Sequence, residues 1–193
     1  MKIDSGKFAA RLIAVATDFV GLEETAPNAR WDDPRTSGND ADKTVWLRTW
    51  MEKVEGWKPG QPYCAAFVGA VVAAVLYGHG VPMAEIQKKW FSLWTAHCMT
   101  NVGRLKTRGV LSTGPVEGAL WLARSGMSTR GHSGLVVTVK AKQMTTIEGN
   151  TNAIGSREGE GFYLKQMATS GRGDLKTQGF LHPMAILNLM GAK

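Results

Sequence analysis

A long apolar run near the middle of the chain is the strongest structural signal in the sequence. Residues 65–76 (AAFVGAVVAAVL) contain no charged side chain. The run is too long for a strand and apolar on every face, so it predicts a buried central helix. The segment 59–63 (PGQPY) precedes it, and its prolines end any earlier helix. Cys64 is therefore expected in the first turn of the central helix.

Apolar residues at helical spacing predict three further helices. The first has Asp4 or Ser5 as its N-cap and Gly21 as its stop, the second ends at Gly56, and the third covers residues 89–99. The first stripe (Phe8, Leu12, Val15 and Phe19) and the third (Trp90, Leu93, Trp94 and His97) are expected to pack in the core. The second, Trp46, Trp50 and Val54, lines one face of its helix.

β-Branched residues in the second half of the chain predict antiparallel strands. Residues 131–139 (GHSGLVVTV) and 144–150 (MTTIEGN) are typical of a hairpin. Shorter strands are expected at residues 120–123, 161–164 and 179–182, followed by a short helix or coil at 184–190.

Two polar segments predict loops. Residues 26–42 are rich in Asp, Asn, Pro and Gly, and residues 168–178 are rich in Gly, Ser and Thr. The second contains Arg172-Gly173-Asp174, whose likeness to adhesion motifs we attribute to chance. Helices followed by antiparallel strands favour an α+β class, and the length favours one domain over residues 1–193.

Charge narrows the classes of partner. The net charge of +7 and the pI near 9.6 favour polyanions, which include nucleic acids, anionic membranes and the acidic polymers of a bacterial envelope. The basic residues are scattered and no nucleic-acid-binding motif is present, so no nucleic-acid partner is expected. The N-terminus does not resemble a signal peptide, and no apolar run spans a membrane. We expect a monomer made in the cytoplasm, without stable membrane insertion.

The cysteines and acidic residues do not predict a cofactor. Cys64 and Cys98 have no spacing typical of a disulfide framework or of structural zinc. Asp40 and Asp42 suggest calcium only weakly, because an EF-hand loop needs further ligands, so a solvated loop is favoured. We therefore expect neither metal nor cofactor in the chemical step.

Cys64 has the local environment of a nucleophile. A helix N-terminus carries partial positive charge, which stabilises a thiolate. His132, Glu148 and Asn150 share a face of the predicted hairpin if its loop has an odd number of residues, so either polar residue can orient the imidazole. The alternative interpretations are a buried, inert cysteine, a strand-edge histidine and a solvated strand end.

Three segments resemble the motifs of the CHAP family, the cysteine, histidine-dependent amidohydrolase/peptidases. They are residues 61–68 (QPYCAAFV), 131–137 (GHSGLVV) and 146–152 (TIEGNTN), in the family's order. Residues 20–24 and 155–161 resemble flanking stretches of many bacterial and phage members. The sequence departs from the family at Ala119, where a Gly-Asp pair is common.

The resemblance implies a papain-like CHAP fold of the α+β class, with N-terminal helices packed on a small antiparallel sheet. It also implies that Cys64 is the nucleophile, His132 the base, and Glu148 with Asn150 the orienting groups. Gln61 is a candidate donor to the oxyanion, beside the backbone N–H of Cys64.

The expected function is hydrolysis of an amide bond in peptidoglycan. The bond either joins the glycan to the stem peptide or lies within the peptide or cross-bridge. A phage lysin or an antibacterial effector fits these features, since both act on the cell wall after release or export. A holin or immunity-protein partner cannot be inferred from the sequence. The alternative is a non-catalytic, cationic cell-wall-binding module that uses the tryptophans.

Overall fold

The computed structural model describes residues 2–23, 41–152 and 159–192. The helices, labelled here in chain order, are α1 (Ser5–Thr17), α2 (Ala41–Met51), α3 (Cys64–Gly78), α4 (Met83–Glu85), a π-helical segment (Ile86–Phe91), α5 (Cys98–Thr107) and α6 (Pro183–Met190). The strands are β1 (Leu120–Ser125), β2 (Gly131–Lys140), β3 (Gln143–Thr151), β4 (Gly161–Ala168), β5 (Gly171–Arg172) and β6 (Leu175–Leu181).

The strands form a closed antiparallel barrel in the order β1-β2-β3-β4-β5-β6. β1 pairs with β2 on one side and with β6 on the other, so the sheet has no open edge there. The expected papain-like CHAP fold, with helices packed on an open sheet, is therefore wrong. The helix-then-strand order was predicted correctly, but it does not reveal that the first and last strands pair.

Irregularities in the strand pairing provide curvature for closure. The register shifts between Leu122 and Ala123 in the β1–β6 pair, between Val136 and Thr138 in the β2–β3 pair, and between Glu148 and Thr151 in the β3–β4 pair. Such bulges bend a strand and increase its twist, which an antiparallel sheet needs in order to close.

The barrel and the helices have separate cores. The barrel interior contains small and large apolar side chains together: Ala119, Trp121, Ala123, Val136, Met144, Met167, Leu175 and Phe180. The second core lies around α3, whose residues from Cys64 to Leu76 are all buried. The prediction of a buried central helix is confirmed, and α3 packs against β2 and β3.

The helix expected over residues 89–99 is interrupted. The π-helical segment ends at Phe91, and α5 begins only at Cys98. Trp90 and Trp94 stack at 5.2 Å and donate their indole N–H groups to the carbonyls of Gly69 (2.9 Å) and Ala65 (2.8 Å) on α3. These tertiary bonds fix the tryptophans in the core, as predicted, whereas His97 is exposed.

In the β2–β3 hairpin, His132 and Glu148 share a face, as predicted, but the reason differs from the predicted one. Lys140 pairs with Gln143, so the loop contains two residues rather than an odd number. Val137 is an extra residue in β2, because Val136 pairs with Thr146 and Thr138 with Thr145. This bulge restores the parity that puts residues 132 and 148 on one face, whereas Asn150 has a φ of 58° and lies where the β3–β4 register shifts.

Of the two segments expected to be loops, one contains strands and the other is described only at its end. Residues 168–178 contain β5 and part of β6, so the loop prediction is wrong there. In the segment 26–42, residues 41 and 42 are helical, and the rest lies outside the described residues, as does most of the 155–161 stretch. Within the ranges given above, no helix combines the length and apolar character needed to cross a membrane.

Candidate active site

Cys64 is the first residue of α3 and faces a cleft of about 550 Å³. Tyr63 is the N-cap residue and makes no side-chain cap bond, so the first N–H groups of the helix are not satisfied by a capping side chain. The Cys64 side chain is 8% exposed, which leaves the sulfur accessible only from the cleft.

His132 and Glu148 form a buried pair behind the cysteine. Nε2 of His132 lies 2.8 Å from Oε2 of Glu148, and both side chains are 0% exposed. Nδ1 of His132 makes no hydrogen bond to a described nitrogen or oxygen. With one ring nitrogen held by the carboxylate, the other is available to the Cys64 sulfur.

The barrel register explains how this pair is buried. His132 lies opposite Ala123 of β1, and Thr146 opposite Val136, and both apolar partners point into the barrel core. Glu148, two residues after Thr146, shares that face. The edge of the His132 ring packs against the Trp121 indole, with centroids 6.2 Å apart. The buried charges therefore lie inside the barrel, away from water.

The site stabilises a thiolate–imidazolium pair. Burial raises the pKa of the Cys64 thiol, but the charge of His132 and hydrogen bonds from His132 and Ser133 outweigh burial and hold the pKa below its ordinary value. Burial lowers the pKa of His132, yet Cys64 and Glu148 together raise it to about 9. These opposite shifts favour the thiolate–imidazolium pair over the neutral thiol and imidazole, so the sulfur is biased toward its nucleophilic form and the imidazolium can donate a proton.

Arg172 holds Glu148 from the other side, and sequence reasoning missed it. Its guanidinium donates two hydrogen bonds of 2.6 Å, from Nη1 to Oε1 and from Nη2 to Oε2. The Thr146 hydroxyl donates to Oε1 at 2.6 Å. Burial raises the pKa of Glu148, but its bonds and charge interactions with His132 and Arg172 hold the pKa at about 2. Glu148 is thus ionised throughout the physiological pH range.

The segment dismissed as a chance adhesion motif therefore contributes to the site. Arg172 lies in β5, between Gly171 and Gly173, and its guanidinium is 5.8 Å from the Trp121 ring. Asp174 accepts a hydrogen bond from the Ser125 hydroxyl at the end of β1. A buried carboxylate such as Glu148 needs a cation, but nothing in the sequence indicates which of the 23 basic residues supplies it.

Ser133 is a second residue that the sequence did not indicate. Its side chain is fully buried, and its hydroxyl has no nitrogen or oxygen partner within the part of the chain described. The Ser133 backbone N–H and hydroxyl instead donate hydrogen bonds to the Cys64 sulfur, and these lower the pKa of Cys64. Ser133 is thus a thiolate-stabilising group.

Asn150 and Gln61 differ in their relation to the cleft. Asn150 is buried and lines it, and Oδ1 accepts the backbone N–H of Tyr63 at 3.2 Å. That bond fixes the turn that carries Cys64. Gln61 is exposed and does not line the cleft, and its Oε1 accepts from the Lys58 N–H at 3.0 Å. This placement does not support Gln61 as an oxyanion donor.

Cys98 lines the same cleft but is in a different environment. Its thiol donates to the carbonyls of His132 at 3.0 Å and Ala123 at 3.6 Å. Burial and the nearby Cys64 raise the pKa of Cys98 far above that of an ordinary thiol. Cys98 is therefore a neutral thiol that supports the histidine strand.

Neither metal ligands nor similar proteins assign a function to this site. Residues 2–23, 41–152 and 159–192 contain no group of three or more His, Cys, Asp or Glu side chains able to hold a metal ion. No family model matches the chain, and searches of curated proteins and of solved structures likewise give no match.

Proposed function

We propose that the protein is a cysteine hydrolase that cleaves an amide bond of peptidoglycan. The observation that carries the proposal is the arrangement of Cys64 at a helix N-terminus, facing a cleft, with His132 beside it and Glu148 behind His132. A nucleophile, a base and a group that orients the base are the parts needed for acyl transfer.

The reaction begins when the Cys64 thiolate attacks the carbonyl carbon of the scissile amide. The carbonyl oxygen becomes an oxyanion, which the unpaired N–H groups at the start of α3 stabilise. His132 gives its proton to the leaving amine, the C–N bond breaks and a thioester forms. Neutral His132 then takes a proton from water, and the resulting hydroxide attacks the thioester. Collapse of this intermediate releases the acid and returns the thiolate–imidazolium pair.

Two features support peptidoglycan as the polymer. The net charge of +7 favours an acidic envelope polymer, and the three CHAP-like motifs contain Cys64, His132 and Glu148. The cleaved bond either joins glycan to stem peptide or lies within the peptide or cross-bridge. The protein then acts on the bacterial wall after release or export, as a phage lysin or antibacterial effector does.

Purified cell walls test this function. We expect the protein to reduce wall turbidity and to release fragments whose masses identify the cleaved bond. Activity that persists in EDTA supports cysteine chemistry without a metal. Loss of activity in EDTA with recovery on added zinc or calcium contradicts that mechanism.

One groove favours the alternative, a non-catalytic cell-wall-binding module. It has a volume of about 570 Å³ and is lined by Trp46, Trp50, Tyr77, Lys7 and Arg11, among others. Tryptophan and tyrosine rings with adjacent cations suit an anionic glycan. Sedimentation of the protein with intact walls, without any released fragment, supports this alternative against the hydrolase.

A further inference from the structure

Among the residues that the structure describes, none that lines the cleft beside Cys64 has an acidic side chain. The described lining residues with an ionisable side chain, besides the two cysteines, are His97 and Arg130. The Glu148 carboxylate is behind His132 and is neutralised by Arg172, so it does not present a negative charge to the cleft. A substrate entering the cleft therefore meets a positive surface around the nucleophile.

Arg130 is held at the cleft by a braced turn between β1 and β2. The Ser128 hydroxyl donates to the Ser125 carbonyl at 2.7 Å and accepts from the Arg130 N–H at 3.1 Å. The Ser125 N–H donates to the Arg130 carbonyl at 3.0 Å. Asp174 anchors the turn by accepting from the Ser125 hydroxyl and, through its carbonyl, from Gly126 at 3.0 Å. The backbone of Arg130 is thus fixed on both sides.

The guanidinium of Arg130 itself is available. The side chain is exposed and makes no hydrogen bond or ion pair with any residue of the described segments. Because its backbone is fixed beside Gly131, which also lines the cleft, the side chain reaches the same space as Cys64. A planar guanidinium in this setting matches a carboxylate, which it binds through two parallel hydrogen bonds.

Another wall of the cleft adds a second group of donors. His97 is the N-cap of α5, without a side-chain cap bond, and Cys98, Met99 and Thr100 line the cleft with it. The first N–H groups of a ten-residue helix therefore lie at this wall and favour negative charge. Both walls thus favour an anion.

We propose that the cleft selects amide substrates that carry a free carboxylate next to the scissile bond, with Arg130 as the residue that binds it. The inference rests on the proposed hydrolase function and specifies its substrate class, an acidic peptide. Arg130 then determines specificity and has no part in proton transfer.

The test uses two forms of the same purified wall. One keeps its free carboxylates, and in the other they are converted to carboxamides with carbodiimide and ammonia. The proteins compared are the wild type, Arg130→Gln and Arg108→Gln. Arg108 is an exposed arginine at the far end of α5 and outside the cleft, so the two variants have the same net charge. Thermal unfolding first establishes that both variants are folded.

We expect the wild type to cleave the carboxylate form with a kcat/KM about 10- to 100-fold higher than the amidated form, the range of a charged hydrogen bond. Arg130→Gln should lose that preference through a higher KM, with kcat nearly unchanged. Arg108→Gln should behave as the wild type on both walls, which separates local recognition from overall charge.

The outcomes distinguish this inference from the function on which it rests. If the wild type releases no fragments from either wall, the proposed function and the inference both fail. If it cleaves both walls equally, or if Arg130→Gln and Arg108→Gln behave alike, only the inference is overturned. A kcat loss in Arg130→Gln that is equal on both walls also overturns it, because that pattern indicates a structural role.

Discussion

The two cysteines of this protein line one cleft and have opposite properties. Both are buried, at 8% exposure for Cys64 and 5% for Cys98, and both are free thiols. The pKa of Cys64 is lowered, because His132 and Ser133 supply a charge and hydrogen bonds to its sulfur. The pKa of Cys98 is raised, because burial and the charge of the nearby Cys64 both disfavour its thiolate.

The difference shows that burial alone does not decide whether a cysteine reacts. Desolvation disfavours both thiolates, and the nearest charge distinguishes them: His132 favours the thiolate of Cys64, whereas Cys64 disfavours the thiolate of Cys98. Each cysteine is also the first residue of a helix, Cys64 of α3 and Cys98 of α5. A helix N-terminus is therefore insufficient without the adjacent imidazole.

Substitution of Cys64 is expected to have the largest effect on activity, and substitution of Cys98 a small one. Cys64→Ser and Cys64→Ala should each lower wall hydrolysis more than ~10,000-fold, because the nucleophile is lost. Cys98→Ser should keep most of the activity, since a hydroxyl can donate to the same carbonyls. Fragment release measured by mass spectrometry provides the comparison, and a folded Cys64→Ala protein with near-normal activity contradicts the nucleophile assignment.

Removal of the Glu148 charge should make the Cys64 thiol less acidic and therefore less reactive. Glu148→Gln keeps the shape of the side chain but loses its charge, so the pKa of His132 should fall from about 9 and that of Cys64 should rise. Turnover should fall ~100- to 10,000-fold. The alkaline limb of the pH–rate profile should move to lower pH and the acid limb to higher pH. An unchanged profile indicates that another group orients His132.

Arg172→Gln tests whether the cation behind Glu148 supports the site. Its side chain is 18% exposed and that of Glu148 is 0% exposed, so removing one partner should cost about 3–5 kcal/mol of unfolding free energy. The depressed pKa of Glu148, about 2, contributes stability above its ordinary pKa of 4.5, and that contribution disappears as pH falls from 4.5 to about 2. In Arg172→Gln this loss should occur at higher pH.

Urea unfolding at several pH values measures the Arg172 effect. Arg172→Lys keeps the charge but not the two-pronged bond, so it should recover part of the stability. Arg108 is exposed, so Arg108→Gln is the matched control. Its free energy of unfolding should stay within about 0.5 kcal/mol of the wild type. Equal losses for Arg172→Gln and Arg108→Gln contradict a positioning role for Arg172.

Changes at Asn150 should have the smallest effect. Asn150→Ala leaves the buried N–H of Tyr63 without this acceptor, which should cost about 1–3 kcal/mol. Hydrolysis should fall roughly 10-fold, because the turn that holds Cys64 loosens. Asn150 has a φ of 58°, so Asn150→Gly removes the amide without backbone strain. Equal activity losses in both variants indicate that activity depends on the side-chain amide. Full activity in Asn150→Gly indicates that it depends on the backbone conformation.

Local patterns in the sequence predicted much of the site's geometry. The apolar run after the prolines fixes the start of α3, and β-branched residues give the β2–β3 hairpin. The parity argument put His132 and Glu148 on one face, although an odd loop was expected and the Val137 bulge supplies the extra residue instead. A bulge has no reliable signature in a single sequence. The agreement therefore arose because the bulge compensates for a loop that is one residue shorter or longer than an odd-numbered loop.

Long-range partners could not be predicted in the same way. The β1–β6 pairing that closes the barrel joins strands far apart in the sequence, and the alternation of each strand is compatible with an open or a closed sheet. Arg172 lies in a short β5 strand between glycines, without apolar periodicity. Trp90 and Trp94 donate their indole N–H groups to carbonyls of α3, and the helix predicted over residues 89–99 is interrupted. Each of these features depends on a tertiary contact that a local pattern does not contain.

Alkylation of the two thiols with iodoacetamide, resolved by mass spectrometry across an acid-to-alkaline pH series, shows whether Cys64 is the activated thiol. It measures thiolate formation at each sulfur without requiring a substrate. We expect Cys64 to be modified first, with an apparent pKa below the ordinary thiol value of 9.0, and Cys98 to stay unmodified until the protein unfolds. Modification of Cys98 before Cys64, or an apparent pKa at or above 9.0 for Cys64, would contradict the assignment of Cys64 as an activated nucleophile.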